Sequence, residues 1–187
     1  MNTYNEIMEQ HTILESDRLL LRPFSLEDAE DVYLYASDEI VTKYLTWPAH
    51  KTMSDIMEVI KTYYLDKAGI YAIELKSECK CIGGIDLRLF NEHDKASFGF
   101  VLNRQYWNKN YMTEALNLIL DLSFSKLKLN RVDATHYVGN EGSGRVMQKC
   151  GMHYEGTGLQ EVKIKGLYFD VVHYAILKAQ WMNLNQE

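Results

Sequence analysis

Apolar and polar positions along this chain fall into a sequence of short alternating runs and longer stripes, and their order predicts the architecture. Leu19-Leu-Leu-Arg22-Pro-Phe24 reads as a strand that ends at its proline. Ser25 then caps a helix running to about Ala36, with Asp28 three residues on as a capping-box partner. Residues 38–45 form a further short helix, and Ser54 to Lys67 is helical, with Ile56, Val59, Ile60 and Tyr63 on one side. Ile70 to Leu75, Lys80 to Leu89, Lys95 to Leu102 and Asn130 to Val138 are strand-like. The clearest helix is Thr113 to Lys128. Its polar residues Glu114, Asn117, Asp121, Ser125 and Lys128 recur at helical steps, and Leu116, Ile119, Leu120, Phe124 and Leu127 fill the other face. Asn140 is a good N-cap for a helix that stops at Gly151. Two strands, about 153–164 and 167–178, follow and pair as a hairpin around Lys165-Gly166. Strand, two helices, three strands, helix, strand, helix, two strands is the order of helices packed on a mostly antiparallel sheet.

Composition narrows this little. At 187 residues, 47% apolar and 25% charged, the chain fits one soluble domain with a sizeable core. We assign residues 12–181 to that domain, 1–11 to a flexible, frayed N-terminal arm and 182–187 to a tail. The polar, acidic start does not read as a signal peptide, and no apolar run is long enough to span a membrane. The three cysteines, Cys79, Cys81 and Cys150, are an odd, sparse set. Cys79 and Cys81 point to one face of a strand, which suits neither a disulfide nor a zinc site, so reduced thiols in a cytoplasmic protein are expected. The histidines show no metal spacing, and no metal is expected. A net charge of −6 disfavours nucleic acid as partner and is compatible with a cationic amine. No membrane partner is expected; a homodimer is compatible with the sequence. No GxxxxGK[ST] run marks a nucleotide site.

Two segments carry chemistry. Tyr106-Trp107-Asn108-Lys109-Asn110-Tyr111-Met112-Thr113-Glu114 opens one helix, and Asn140-Glu-Gly-Ser143 opens another directly after a strand. Helix starts present unpaired N–H groups that attract anions and polar ligand atoms.

Both segments resemble the GNAT acetyltransferases, of the branch typified by the ribosomal-protein N-acetyltransferases RimJ and RimL. Ser16-Asp17-Arg18-Leu-Leu-Leu-Arg22-Pro23-Phe24 resembles the family's first strand, Cys81-Ile-Gly83-Gly84-Ile85 its third and Phe98-Gly99-Phe100-Val101-Leu102-Asn103 its fourth. Tyr168-Phe-Asp170-Val171 to Tyr174-Ala-Ile resembles the last. The resemblance covers roughly residues 12–181. It implies an α+β fold: a mixed, mostly antiparallel seven-stranded sheet flanked by about four helices, with strands four and five splayed apart.

The resemblance also implies an activity, the acetyl-CoA-dependent transfer of an acetyl group to a primary amine on a small molecule or protein N-terminus. Acetyl-CoA is the expected co-substrate. Its arm would run along Phe100, Val101 and Leu102 and cross toward Asn140. Its pyrophosphate would meet Asn108, Lys109, Asn110, Tyr111, Met112 and Thr113, and Lys149 would lie nearby. The family's loop usually has glycine at two positions and glycine or alanine at a third; here they are Asn108, Asn110 and Met112. Asparagine tolerates left-handed angles best among non-glycine residues, so the turn can form. Ser143 is the candidate to assist the leaving thiolate, with helix capping as its alternative role. The family's general base is often a glutamate at positions occupied here by Ser97 and Val162. Glu161 is the remaining candidate, although it faces the wrong side of its strand unless a bulge turns it. Without a base, holding the reactants together supplies much of the rate, with water taking the proton. Tyr44 and Trp47 are expected to border the acceptor. A non-catalytic acyl-CoA-binding sensor or interaction module with the same fold is the alternative reading.

Overall fold

The computed structural model describes residues 3–184. One mixed sheet of eight strands runs through the molecule: β1 (Leu14–Glu15), β2 (Leu19–Arg22), β3 (Ile70–Leu75), β4 (Lys80–Phe90), β5 (Lys95–Leu102), β6 (Arg131–Tyr137), β7 (His153–Ile164) and β8 (Leu167–Leu177). The spatial order is β1-β2-β3-β4-β5-β6-β8-β7. Every neighbouring pair is antiparallel except β5–β6. The eighth strand, beyond the seven expected, is the two-residue β1, which pairs Leu14 with Leu21 and is too short to leave a pattern in the sequence. The family's fourth and fifth strands are therefore β5 and β6.

Seven α-helical segments surround the sheet, against the four expected: α1 (Tyr4–Gln10), α2 (Ala29–Ala36), α3 (Glu39–Thr42), α4 (Met53–Val59), α5 (Tyr111–Asp121), α6 (Glu141–Lys149) and α7 (Lys178–Leu184). The N-terminal arm is a correction. From Thr3 onward it forms α1, capped by a reciprocal Thr3–Glu6 box, and Met8 is buried in the core. Tyr4 Oη also donates to Asp94. Residues 182–184 of the expected tail belong to α7. Residues 1, 2 and 185–187 lie outside the described residues.

The long helices predicted over 54–67 and 113–128 each end in a π turn. Leu65 N–H donates to Ile60 O at 2.9 Å and Leu127 N–H to Leu122 O at 3.0 Å, each reaching back five residues. The apolar stripe predicted for α5 and its π turn is in place: Leu116, Ile119, Leu120, Phe124 and Leu127 are all buried. Gly151 takes φ +77°, and Met152 N–H reaches back to Met147 O, which closes the end of α6 in a Schellman-like motif. Cys79 is not on a strand; it occupies a turn with φ +52° and is exposed, whereas Cys81 is buried.

Two apolar clusters cover opposite faces of the sheet. Alternation along β3 sends Tyr71, Ile73 and Leu75 to one and Ile70 and Ala72 to the other. The first packs under α1, α5 and α6, the second under α2, α3 and α4.

The parallel β5–β6 ladder sets up the site. It holds for Lys95–Arg131, Ala96–Val132 and Ser97–Asp133 and then stops. Beyond it β5 continues alone to Leu102 on that side, and the two strands part as a wedge.

Candidate active site

Two adjoining cavities fill the wedge and its mouth. One, of about 330 Å³, lies toward the loop that follows α3 and the π turn that ends α4, and is lined by Phe24, Trp47, Tyr64, Asp86, Arg88 and Gly99 among others. The second, of about 450 Å³, lies toward α5 and α6. They share a wall of Tyr44, Leu45, Phe100, Val101, Asn140 and Ser143. Both volumes are in the range of small-molecule sites.

The larger cavity is built around the start of α5. Asn108 has φ +60° and Asn110 φ +63°, the left-handed angles expected of asparagines standing in for glycine. Asn110 holds the N-cap position, but its side chain caps nothing there. Its Oδ1 instead accepts from Lys149 Nζ at 2.7 Å. The first N–H groups of α5 therefore remain open toward the cavity, as a helix start leaves them. Met112 is buried at the floor of the cavity, which it helps to line. Thr113, Tyr111, Trp107 and Asn108 line the cavity, as do Lys43, Arg145 and Lys149. Lys109 Nζ lies 5.3 Å from the Tyr106 ring centre, beside the loop. Backbone donors at a helix start ringed by cations are a donor set that fits a pyrophosphate.

That loop is braced from behind by residues the sequence reading left without a role. Arg18 Nε donates to Glu114 Oε2 at 2.7 Å, Arg18 Nη1 donates to Lys109 O at 3.2 Å, and Ser16 Oγ donates to Glu114 Oε1 at 2.7 Å. Burial alone would raise the Glu114 carboxyl; the Ser16 and Arg18 hydrogen bonds hold it below its usual range. Trp107 Nε1 donates to Leu102 O at 2.8 Å and pins the loop to the end of β5.

The second helix start behaves differently from its expected cap. The Asn140 side chain makes no capping hydrogen bond; its backbone carbonyl accepts from Ser143 N–H at 3.2 Å. The Asn140 amide is thus free to face the cavities that it lines. Ser143 is half-buried where the two cavities meet. Tyr44 lines both as well, and its hydroxyl sits where a Cβ on Gly139 would come within 2.6 Å. Trp47 packs beside His50, with ring centres 5.2 Å apart.

Glu161 is a correction. The bulge it needed is present: Gly158 pairs Val171 and Val162 pairs Phe169, so β7 carries extra residues there, and Gln160 takes φ +48°. The bulge turns Glu161 onto His173, with Nε2 to Oε2 at 2.7 Å, and not into the cleft, whose lining does not include it.

The carboxylate that lines the smaller cavity is Asp86, on β4 opposite Gly99. Gly99 N–H donates to Asp86 Oδ1 at 2.6 Å, and Arg88 Nε lies 3.5 Å from the same oxygen. Burial raises the Asp86 carboxyl above its ordinary range, against the opposing pull of Arg88 and the Gly99 N–H. A half-buried carboxylate with a raised pKa in a cleft is the pattern of a proton acceptor. The sequence signal for it was a lone acid inside the apolar run Cys81 to Leu87. Among the described residues no group of three His, Cys, Asp or Glu could hold a metal ion.

A model of the acetyltransferase (GNAT) domain matches residues 18–153. The chain belongs to the GNAT N-acetyltransferase family, in its RimJ/RimL-type branch. YnaD, an uncharacterized N-acetyltransferase of Bacillus subtilis (strain 168), is 34% identical over 90% of this chain and 98% of its own. An acetyltransferase of the GNAT family from Bacillus anthracis matches in structure with a TM-score of 0.82 at 31% identity, covering 89% of this chain and 99% of that one. A spermidine N-acetyltransferase of Vibrio cholerae, solved with CoA and spermine, shares the fold at a TM-score of 0.74 and 23% identity, covering 90% of this chain and 100% of its own. In this acetyltransferase the expected fold is thus in place, and no described helix is long and apolar enough to cross a membrane.

Proposed function

We propose that this GNAT acetyltransferase moves the acetyl group of acetyl-CoA directly to a primary amine while both are bound. One observation carries the reading: two cavities of different character meet at Ser143, where the strands part. The cavity at α5 and α6 would hold the co-substrate. Lys149, Lys109 and the open N–H groups after Asn110 would receive its pyrophosphate, and Asn140 with Phe100, Val101 and Leu102 would border its arm. The smaller cavity, beside the loop that follows α3, would hold the acceptor between Tyr44 and Trp47.

Acetyl-CoA supplies an activated thioester carbonyl. The residues supply position and proton management. Asp86 receives the acceptor's ammonium and takes a proton from it, leaving the nitrogen lone pair free to attack the carbonyl carbon. Ser143, in the first turn of α6, donates a hydrogen bond to the sulfur as the C–S bond breaks, and the proton that the nitrogen sheds after its attack passes to that sulfur, so that CoA leaves as the thiol; the positive end of the helix dipole favours the charge developing there. Holding the amine within reach of the thioester contributes much of the acceleration.

Free-thiol release from acetyl-CoA, followed with a panel of primary amines, tests the reading. Amine-dependent thiol release with stoichiometric acetylated product is expected. Tight CoA binding with no transfer to any amine would favour the sensor alternative. A rate insensitive to Asp86→Asn would assign proton removal to water.

A further inference from the structure

The acceptor cavity is charge-balanced. Asp86 and Arg88 are two residues apart on β4, so both side chains leave the same face of the sheet. They converge over Gly99, where a Cβ would lie 3.1 Å from Asp86 Oδ1 and 3.2 Å from Arg88 Nη2. Glycine at that position therefore gives both groups their place. Asp86 is the only carboxylate in the lining among the described residues, and Arg88 stands next to it. Acids on nearby strands are already paired: Asp133 on β6 by Lys95 and Arg131, and Glu161 on β7 by His173. The remaining polar side chains of the lining are hydroxyls, the Asn140 amide, the Trp47 indole and the His136 ring.

We infer that the natural acceptor is a carboxylate-bearing amine, an amino acid or a peptide N-terminus with an acidic group close to its nitrogen, and that Arg88 determines this specificity by binding the carboxylate. The inference rests on the transfer reading above and deepens it. Once Asp86 receives the ammonium, the guanidinium beside it needs a new anion. The Arg88 contact to Asp86 is long at 3.5 Å, and the side chain is 58% exposed, so its fork of donors can turn to a second carboxylate. An acceptor with one ammonium and one carboxylate replaces the internal pair by two crossed pairs. A polyamine fits poorly here. Its second ammonium would come beside Arg88, and no second carboxylate in the lining awaits it. Like charge at that distance rejects a partner as effectively as opposite charge selects one.

The test compares matched acceptors on the purified full chain. The pairs are a free amino acid against its amide, and an aspartyl against an asparaginyl tripeptide amide, with spermidine as the cationic arm; rates are expressed per free amine. The wild-type protein should prefer the carboxylate member of each pair in kcat/KM by about ten- to hundredfold, the worth of one charge-assisted hydrogen-bond pair. In Arg88→Gln that ratio should fall to about one, Arg88→Lys should keep part of it, and Arg88→Glu should shift preference to spermidine. A ratio is read, so a general loss of activity in a variant does not mimic the result. Wild-type preference for the amide or for spermidine, or an undiminished ratio in Arg88→Gln, overturns the inference while leaving the transfer reading intact. No transfer to any amine overturns both.

Discussion

Replacing Asn110 by valine strikes the loop proposed to receive the pyrophosphate at one of its two left-handed positions. Asn110 sits at φ +63°, ψ +12°, and its amide accepts from Lys149 Nζ. A β-branched residue at positive φ is a true outlier, and a sparsely populated backbone conformation costs about 1–3 kcal/mol. Where that cost appears depends on the free protein. If valine is held in place, the protein loses stability and binds normally; if the loop relaxes, stability survives and acetyl-CoA binding bears the loss, about 5- to 150-fold in Kd. The two losses together should therefore total about 1–3 kcal/mol. Asn110→Gly is the control. It relieves up to about 1–2 kcal/mol of left-handed strain. It gives back about 0.5–1 kcal/mol of chain entropy. It also gives up the exposed Lys149 contact, worth about 0.2–1 kcal/mol. These offset, so its affinity should stay within about threefold of wild type. Calorimetric titration with CoA and thermal unfolding of both variants measure the two halves. Wild-type Kd and wild-type Tm together in Asn110→Val would show that the loop does not adopt this turn.

Ser143→Ala should lower kcat by about tenfold or more with little change in acetyl-CoA affinity, as steady-state kinetics would read; an unchanged kcat with about 1 kcal/mol of lost stability would reduce Ser143 to a helix-start residue. Asp86→Asn should lower kcat/KM while leaving Tm at neutral pH equal or higher. The sign follows from the raised Asp86 pKa: folding favours the protonated acid, so that stabilisation is full below the unfolded pKa and lost as pH rises through the folded one. For the same reason the wild-type rate should rise with pH through a value above the ordinary aspartate range, and a pH–rate profile lacking that limb in Asp86→Asn checks the assignment. Gly83→Ala should cost about 1–3 kcal/mol and several degrees of Tm, because its Cβ would come 2.3 Å from the backbone oxygen of Val101, on the strand both cavities share; wild-type Tm would contradict it.

Much of the fold was legible because its elements announce themselves locally. The α5 stripe, the Gly151 stop and the Lys165-Gly166 hairpin each follow from a few neighbouring residues. The asparagines at 108 and 110 were legible too, since only a small set of side chains accepts those angles. Helix α1 left a signal that went unread: Thr3 and Glu6 stand at capping-box spacing. Other features depend on partners far along the chain. The turning of Glu161 depends on His173, and the Arg18–Glu114 brace joins residues far apart in sequence. Asp86 gains its meaning only from Gly99 across the ladder, a glycine whose missing side chain gives the acid both room and an N–H donor.

The parting of β5 from β6 ties these pieces to function. A buried strand edge needs partners for its N–H and C=O groups, and most such groups in folded proteins have them. From Phe98 to Leu102, β5 keeps its β4 partner but loses β6. An interior sheet edge that its own chain leaves unpaired is a template for an extended ligand with amide groups of its own, by the same hydrogen bonding that lets peptides add to sheets. The pantetheine arm of CoA is such a ligand. In the proposed reading the charged end of that ligand would meet the start of α5 and its reacting end Ser143. The acceptor would then approach through the smaller cavity, which Asp86 lines. Closing the wedge by extending the β5–β6 pairing would remove both substrates' places at once without touching a single polar side chain.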